Sequence, residues 1–175
     1  MDKAALQALQ APLKERYRDD PDGARITLSA EGRLGEENVS CSVATGRAMV
    51  EAGLHPATGG DGMLACSGDM LLQALVACAG VTLRAVATSL EIPVRGGRLR
   101  AEGDLDFRGT LGVAKDAPVG FSAIRLAIDV DAEADAEQLA TLRRLTERYC
   151  VVYQTLVGSP AIEMTLAPSA TPAVS

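Results

Sequence analysis

Cys66-Ser-Gly-Asp-Met-Leu-Leu-Gln-Ala-Leu-Val-Ala-Cys78-Ala-Gly-Val-Thr-Leu83 is the stretch on which the reading of this chain turns. Ser67 stands where an N-cap belongs, with Asp69 in the first turn of a helix predicted over residues 68–90. Leu71, Leu72, Leu75, Val76, Val81, Leu83 and Val86, together with many alanines, cover most of its circumference. Gln73, Gly80, Arg84 and Thr88 leave only a narrow polar stripe. A helix apolar nearly all round belongs in the middle of a protein or of an oligomer. A chain of 175 residues can bury one only by wrapping a sheet around it or sharing it with a partner subunit. The weakly polar run 70–83 is interrupted by Gln73 and followed at once by Arg84. It falls short of the roughly 20 apolar residues a bilayer span needs, so no membrane is expected.

Working outward, residues 3–17 carry Ala4, Leu6, Leu9, Leu13 and Tyr17 at near-helical spacing. Pro12 predicts a kinked or two-part helix there. After the turn cluster at residues 19–23 the period changes to two, with Ile26, Leu28 and Ala30 alternating with polar neighbours. Further short strands fit residues 38–43 and 47–52, together an antiparallel meander, and residues 55–62 read as a loop. Beyond the central helix, residues 99–107 and 121–130 read as strands around a loop at 109–120. Asp135 with Gln138 three residues on is a capping-box start. The amphipathic helix that follows shows Leu139, Leu142, Leu145 and Tyr149 on one face and reaches Cys150. Residues 151–157 fit a short separate helix, and 161–166 a last strand. The expectation is one α+β domain over residues 24–167, with a helical extension at 1–23 and a disordered tail at 168–175.

Composition narrows the chemistry. With 17 basic against 23 acidic residues, the net charge of -6 argues against a nucleic-acid partner. The five aromatic residues, with no Trp, offer no base-stacking platform. One histidine, His55, and no Cys-x-x-Cys pair speak against a metal site, and no glycine spacing supports a nucleotide cofactor. Charged residues and glutamines interrupt the N-terminus where a signal peptide needs an apolar run, so a cytoplasmic protein with reduced thiols is expected. Cys41, Cys66, Cys78 and Cys150 are then either buried small hydrophobes or working thiols.

Cys78 lies midway along the central helix, where that helix's own dipole offers a thiolate nothing. Cys150 ends the amphipathic helix on the same side as Leu139, pointing inward. Two such thiols on packed helices could be neighbours, or could simply fill space. The segment from Cys66 to Leu83 resembles the central helix of the OsmC/Ohr family, in which an acidic residue precedes a Leu/Ala-rich stretch, a cysteine and a Thr-Leu turn. Glu147-Arg-Tyr-Cys150-Val-Val-Tyr-Gln-Thr-Leu156 resembles that family's second cysteine segment, and element order agrees over residues 25–167.

The resemblance implies antiparallel sheets wrapped on a buried central helix in an intertwined homodimer, with reactive sites at the subunit interface. It also implies a thiol peroxidase for organic hydroperoxides that needs no cofactor. Cys78 would attack the peroxide, Cys150 would resolve the sulfenic acid, and an external dithiol would reduce the disulfide. The family uses an arginine, held by an acidic residue, to favour the thiolate. Asp69 matches the acidic position and Arg47 is the arginine the resemblance suggests. Nine residues of helix separate Asp69 from Cys78 by about 13 Å along the axis, so Asp69 could act only through a bridge.

Two departures stand out: Val151 replaces the family's usual Pro, and Tyr149 its frequent His. Cys66 and Cys41 are additional, the first in a glycine-rich loop and the second inside a strand; His55 fits a pocket rim. The rival readings are a binding protein for an apolar small molecule at the dimer interface, with incidental thiols, and acyl transfer through Cys78. The latter lacks a histidine base beside the thiol.

Overall fold

The computed structural model describes residues 2–19, 32–34, 40–44, 49–112 and 114–168. Helix α1, Lys3–Asp19, runs through Pro12 without a break in its assignment. Strands β1 (Gly32–Leu34), β2 (Ser40–Ala44) and β3 (Met49–Gly53) form the antiparallel meander, with Cys41 opposite Ala52. The strand expected at residues 25–30 lies outside the described residues. The two-residue β4 (Ala65–Cys66) adds a parallel edge that the alternation pattern did not announce.

Helix α2 is 23 residues long, Ser67–Ser89. Cys66, not Ser67, holds the N-cap position, and its side chain makes no capping hydrogen bond. The reason is β4: pairing with β3 keeps Cys66 extended, so the helix begins one residue later than the serine suggested. By length and composition alone α2 could cross a membrane, with a mean hydropathy of 1.8 over its most apolar window, so the interrupted run at 70–83 understated its span. Its Leu75, Ala79, Leu83, Val86 and Ala87 face is buried against its own chain.

Strands β5 (Val94–Asp104) and β6 (Ala123–Ala132) form a long antiparallel pair, Leu99 opposite Ile128, with a register shift between Val94 and Gly96. Along β6 the half-buried Ile124, Leu126, Ile128 and Val130 alternate with exposed Arg125, Ala127, Asp129 and Asp131, the period-two pattern of a strand with one covered face. Bidentate contact of Arg125 with Asp104, at 2.5 and 2.7 Å, staples the connected end of the pair and holds the Asp104 carboxyl below its ordinary range. Gly103 lets the Phe121 ring lie on the strand, because a Cβ there would come within 2.4 Å of the ring. Within the expected loop at 109–120 the chain still has the end of a one-turn helix, α3 (Phe107–Thr110), capped by Asp106.

Helix α4 (Ala136–Tyr149) opens with the full capping box: the Gln138 N–H donates to Asp135 Oδ1 at 2.8 Å, and the Asp135 N–H to Gln138 Oε1 at 2.9 Å. Leu142 from α4, Leu83, Val86 and Ala87 from α2, and Ile92 make the core, which Ile128, Val130 and Leu145 cover. A short helix, α5 (Val151–Gly158), packs against both α2 and α4.

Two expectations fail within the single chain. The central helix is buried along one face only: Val81 is 73% exposed. Residues 161–166 form no strand, and Ile162, Met164 and Leu166 are at least 90% exposed. The physical reason is shared: among the described residues no sheet edge or apolar face reaches either surface.

Candidate thiol site

Cys150 is a joint. It closes α4, donating its N–H to Thr146 at 3.0 Å, and opens α5, accepting from the Gln154 N–H at 2.9 Å. Its own φ of -73° and ψ of 108° are extended, so the chain turns at this one residue between two helices. The turn drives the side chain inward, where it is 1% exposed. Half-buried Cys78 lies near it on α2, close enough that each thiol shifts the proton affinity of the other.

Their surroundings are unequal. Burial pushes the Cys78 thiol up, but donors outweigh it: the Val152 N–H, the Cys150 S–H, the Val151 N–H and the Thr82 hydroxyl. The result lies below the ordinary thiol value. Burial pushes the Cys150 thiol up as well, and here the Cys78 sulfur adds to the rise, because a proton held on Cys150 is a proton donated to Cys78. The Tyr153 and Val152 N–H groups oppose that rise without reversing it. Of the two, Cys78 is therefore the thiol that gives up its proton more readily. That is the polarity needed by a nucleophile and the group that later attacks it.

A cavity of about 590 Å³ runs between α2, β6 and α4 and reaches Cys150. Leu83, Ile124, Leu126 and Leu142 line it, and Arg143, paired with Glu147 at 2.9 Å, stands at its polar end.

The other residues singled out in the sequence are placed elsewhere. Cys66, His55 and Asp69 share a second cavity of about 380 Å³ with Asp104, Phe107 and Phe121. There the His55 ring stacks on Phe107, centroids 4.9 Å apart, and its Nδ1 accepts the Ala57 N–H at 3.0 Å. Cys41 lies in β2, and Arg47 falls outside the described residues. The structure thus brings Cys78 and Cys150 together and does not bring Asp69 to them. Among the described residues no three His, Cys, Asp or Glu side chains group as metal ligands.

Sequence reasoning missed three groups that help lower the Cys78 thiol: Thr82 and the main-chain N–H groups of Val151 and Val152. Thr82 had a legible signal, standing one helical turn beyond Cys78 on the same face. The amides had none in side-chain identity, because any residue but proline supplies one.

Comparison with known proteins places this arrangement. Residues 60–165 match a family model described as OsmC-like protein. The chain belongs to the OsmC-like family. No curated protein matches it. Among solved structures it resembles the OsmC-like protein of Mycoplasma pneumoniae, at 16% identity and a TM-score of 0.63 over 76% of this chain and 89% of that one. It also resembles the organic hydroperoxide resistance protein OsmC of Legionella pneumophila, at 16% identity and a TM-score of 0.59, with 76% and 90% covered. The organic hydroperoxide resistance protein OhrB of Bacillus subtilis aligns at 18% identity and a TM-score of 0.51, with 76% and 92% covered. At these identities the structural likeness establishes the mixed α/β fold of OsmC and Ohr proteins.

Proposed function

We propose that this OsmC-like chain is a thiol peroxidase for organic hydroperoxides. The observation that carries the reading is the nearness of two thiols, one with its pKa lowered and the other with it raised. The Cys78 thiolate attacks the terminal peroxide oxygen; the O–O bond breaks, the alkoxide takes a proton and leaves as an alcohol, and Cys78 becomes a sulfenic acid. The Cys150 thiol then attacks the Cys78 sulfur, expelling the hydroxyl as water and forming a disulfide. An external dithiol, oxidised in turn, returns both cysteines to thiols. No cofactor is needed. The apolar cavity ending at Cys150 supports an apolar peroxide over hydrogen peroxide. Arg47 remains the arginine proposed to assist, and Asp69 is proposed to act through it.

The working form is proposed to be a cytoplasmic intertwined homodimer. Val81 on the open face of α2 and the alternating Ile162, Met164 and Leu166 support this, since a second copy offers a cover that the described residues do not give. Val81→Arg is expected to turn dimers into protomers, read by light scattering on a sizing column; a persistent dimer removes α2 from the interface.

The deciding experiment is steady-state consumption of cumene or fatty-acid hydroperoxide with a dithiol. Cys78→Ser is expected to lower kcat/KM at least about a hundredfold. Cys150→Ser is expected to allow one turnover and then stall. A wild-type rate no higher than that of Cys78→Ser sinks the peroxidase reading. The outcome would then favour the binding protein, whose supporting observation is the same apolar cavity.

A further inference from the structure

Displacement at a disulfide runs in line: the attacking thiolate comes up behind one sulfur, opposite the bond that breaks. The sulfur attacked must therefore be open to the attacker. The two cysteines of the proposed cycle differ in that respect. Cys150 is 1% exposed, even though the 590 Å³ cavity reaches it. Cys78 is half-buried, midway along α2. It is also the sulfur that a hydroperoxide has to reach, so a second copy covering α2 must leave a way to it. The same second copy can only bury Cys150 further.

We infer that the external dithiol opens the Cys78–Cys150 disulfide at the Cys78 sulfur, so that the mixed disulfide forms on Cys78 and Cys150 is the thiol released. The inference rests on the peroxidase reading, which supplies the disulfide. A thiolate of the reductant bonds to Cys78 Sγ as the Cys78–Cys150 bond breaks, and the electron pair goes to Cys150 Sγ, which takes up a proton. The reductant's second thiol then loses its proton and attacks the reductant sulfur of the mixed disulfide. That bond breaks, Cys78 leaves as a thiolate, and the reductant departs as its own disulfide.

A second effect opposes the first step. The better leaving thiol is the one that holds its proton less tightly, and of this pair that is Cys78. On that ground alone the attack would fall on Cys150. Access wins, because a leaving-group preference only scales a rate, whereas an enclosed sulfur offers no line of approach. In the second step the leaving group is Cys78 itself, and its lowered proton affinity speeds release. The arrangement also gives a dithiol its advantage. A monothiol joined to Cys78 lies beside the freed Cys150, which attacks Cys78 again and expels it.

The test uses the full wild-type chain, oxidised with diamide so that no hydroperoxide chemistry is involved in making the disulfide. Oxidised protein is mixed with glutathione and quenched in acid at increasing times. Free thiols are blocked with N-ethylmaleimide before non-reducing peptide mapping, and the adduct ratio is extrapolated to zero time, before thiols exchange. Glutathione on Cys78 with N-ethylmaleimide on Cys150 is expected at least about tenfold over the reverse pattern. Equal amounts, or a majority of glutathione on Cys150, overturn the inference, as does diamide treatment that yields no Cys78–Cys150 disulfide. Its fate separates from that of the peroxidase reading. A Cys150 adduct in a chain that consumes hydroperoxide removes the inference and leaves the peroxidase. A Cys78 adduct in a chain that consumes none keeps the order of thiol exchange and removes the peroxidase.

Discussion

Two cysteine neighbourhoods of this chain differ in what they hold and in what they could do. The Cys66 cavity holds the only imidazole, the carboxylates of Asp69 and Asp104, and two aromatic rings. The Cys78 site holds no charged side chain among its described partners, only a second sulfur, a hydroxyl and two amides. By an inventory of catalytic residue types the first looks richer. By arrangement the second is the one in which two thiols lie side by side, with the Cys78 thiol shifted down and the Cys150 thiol shifted up. The Cys66 cavity also offers its thiol no second sulfur, so among the described residues it has no partner with which to close a cycle. The difference teaches that thiol chemistry is set by donors and partners, which need not be ionisable side chains at all.

This contrast can be broken most directly with oxidised protein. One equivalent of organic hydroperoxide is expected to give a Cys78–Cys150 cross-link at least about tenfold more abundant than any cross-link containing Cys66, read by non-reducing peptide mapping. A dominant Cys66 disulfide would move the reactive centre to the other cavity. A smaller effect sharpens the comparison. Asp69→Asn is expected to lower kcat/KM by only about threefold, and that loss should vanish in an Arg47→Ala background, since Asp69 reaches Cys78 only through a bridge. Smallest of all, Cys66→Ser is expected to stay within about twofold of wild type. A large loss would give the Cys66 cavity a part in the reaction.

The sequence carried much of the fold because its signals were local. The alternation of Ile124, Leu126, Ile128 and Val130, the capping box of Asp135 and Gln138, and the leucine face of α2 each record a decision made within one element. It also carried the thiol pair, through two motifs some 70 residues apart and a helical-wheel argument for the direction of Cys150. What it did not carry depends on contact between elements. The N-cap slipped from Ser67 to Cys66 because β3 claimed the residue before the helix. The run at 161–166 reads as a strand because its residues alternate, yet a strand needs an edge, and none of the described residues presents one to it. The amides that help lower the Cys78 thiol were invisible because backbone donors leave no trace in residue type.

The placement of Cys150 has a mechanical consequence. A sulfur fixed in the middle of a rigid rod could form a new covalent bond only by dragging that rod, and for α2 this would tear at the packing of Leu75, Ala79, Leu83 and Val86. Cys150 instead sits at a knee, the one extended residue between a fourteen-residue thigh and an eight-residue shin. Were a sulfur–sulfur bond to close there under the proposed peroxidase cycle, the eight-residue shin would be free to take up the movement about that one residue while the packed leucines of α2 stay at rest.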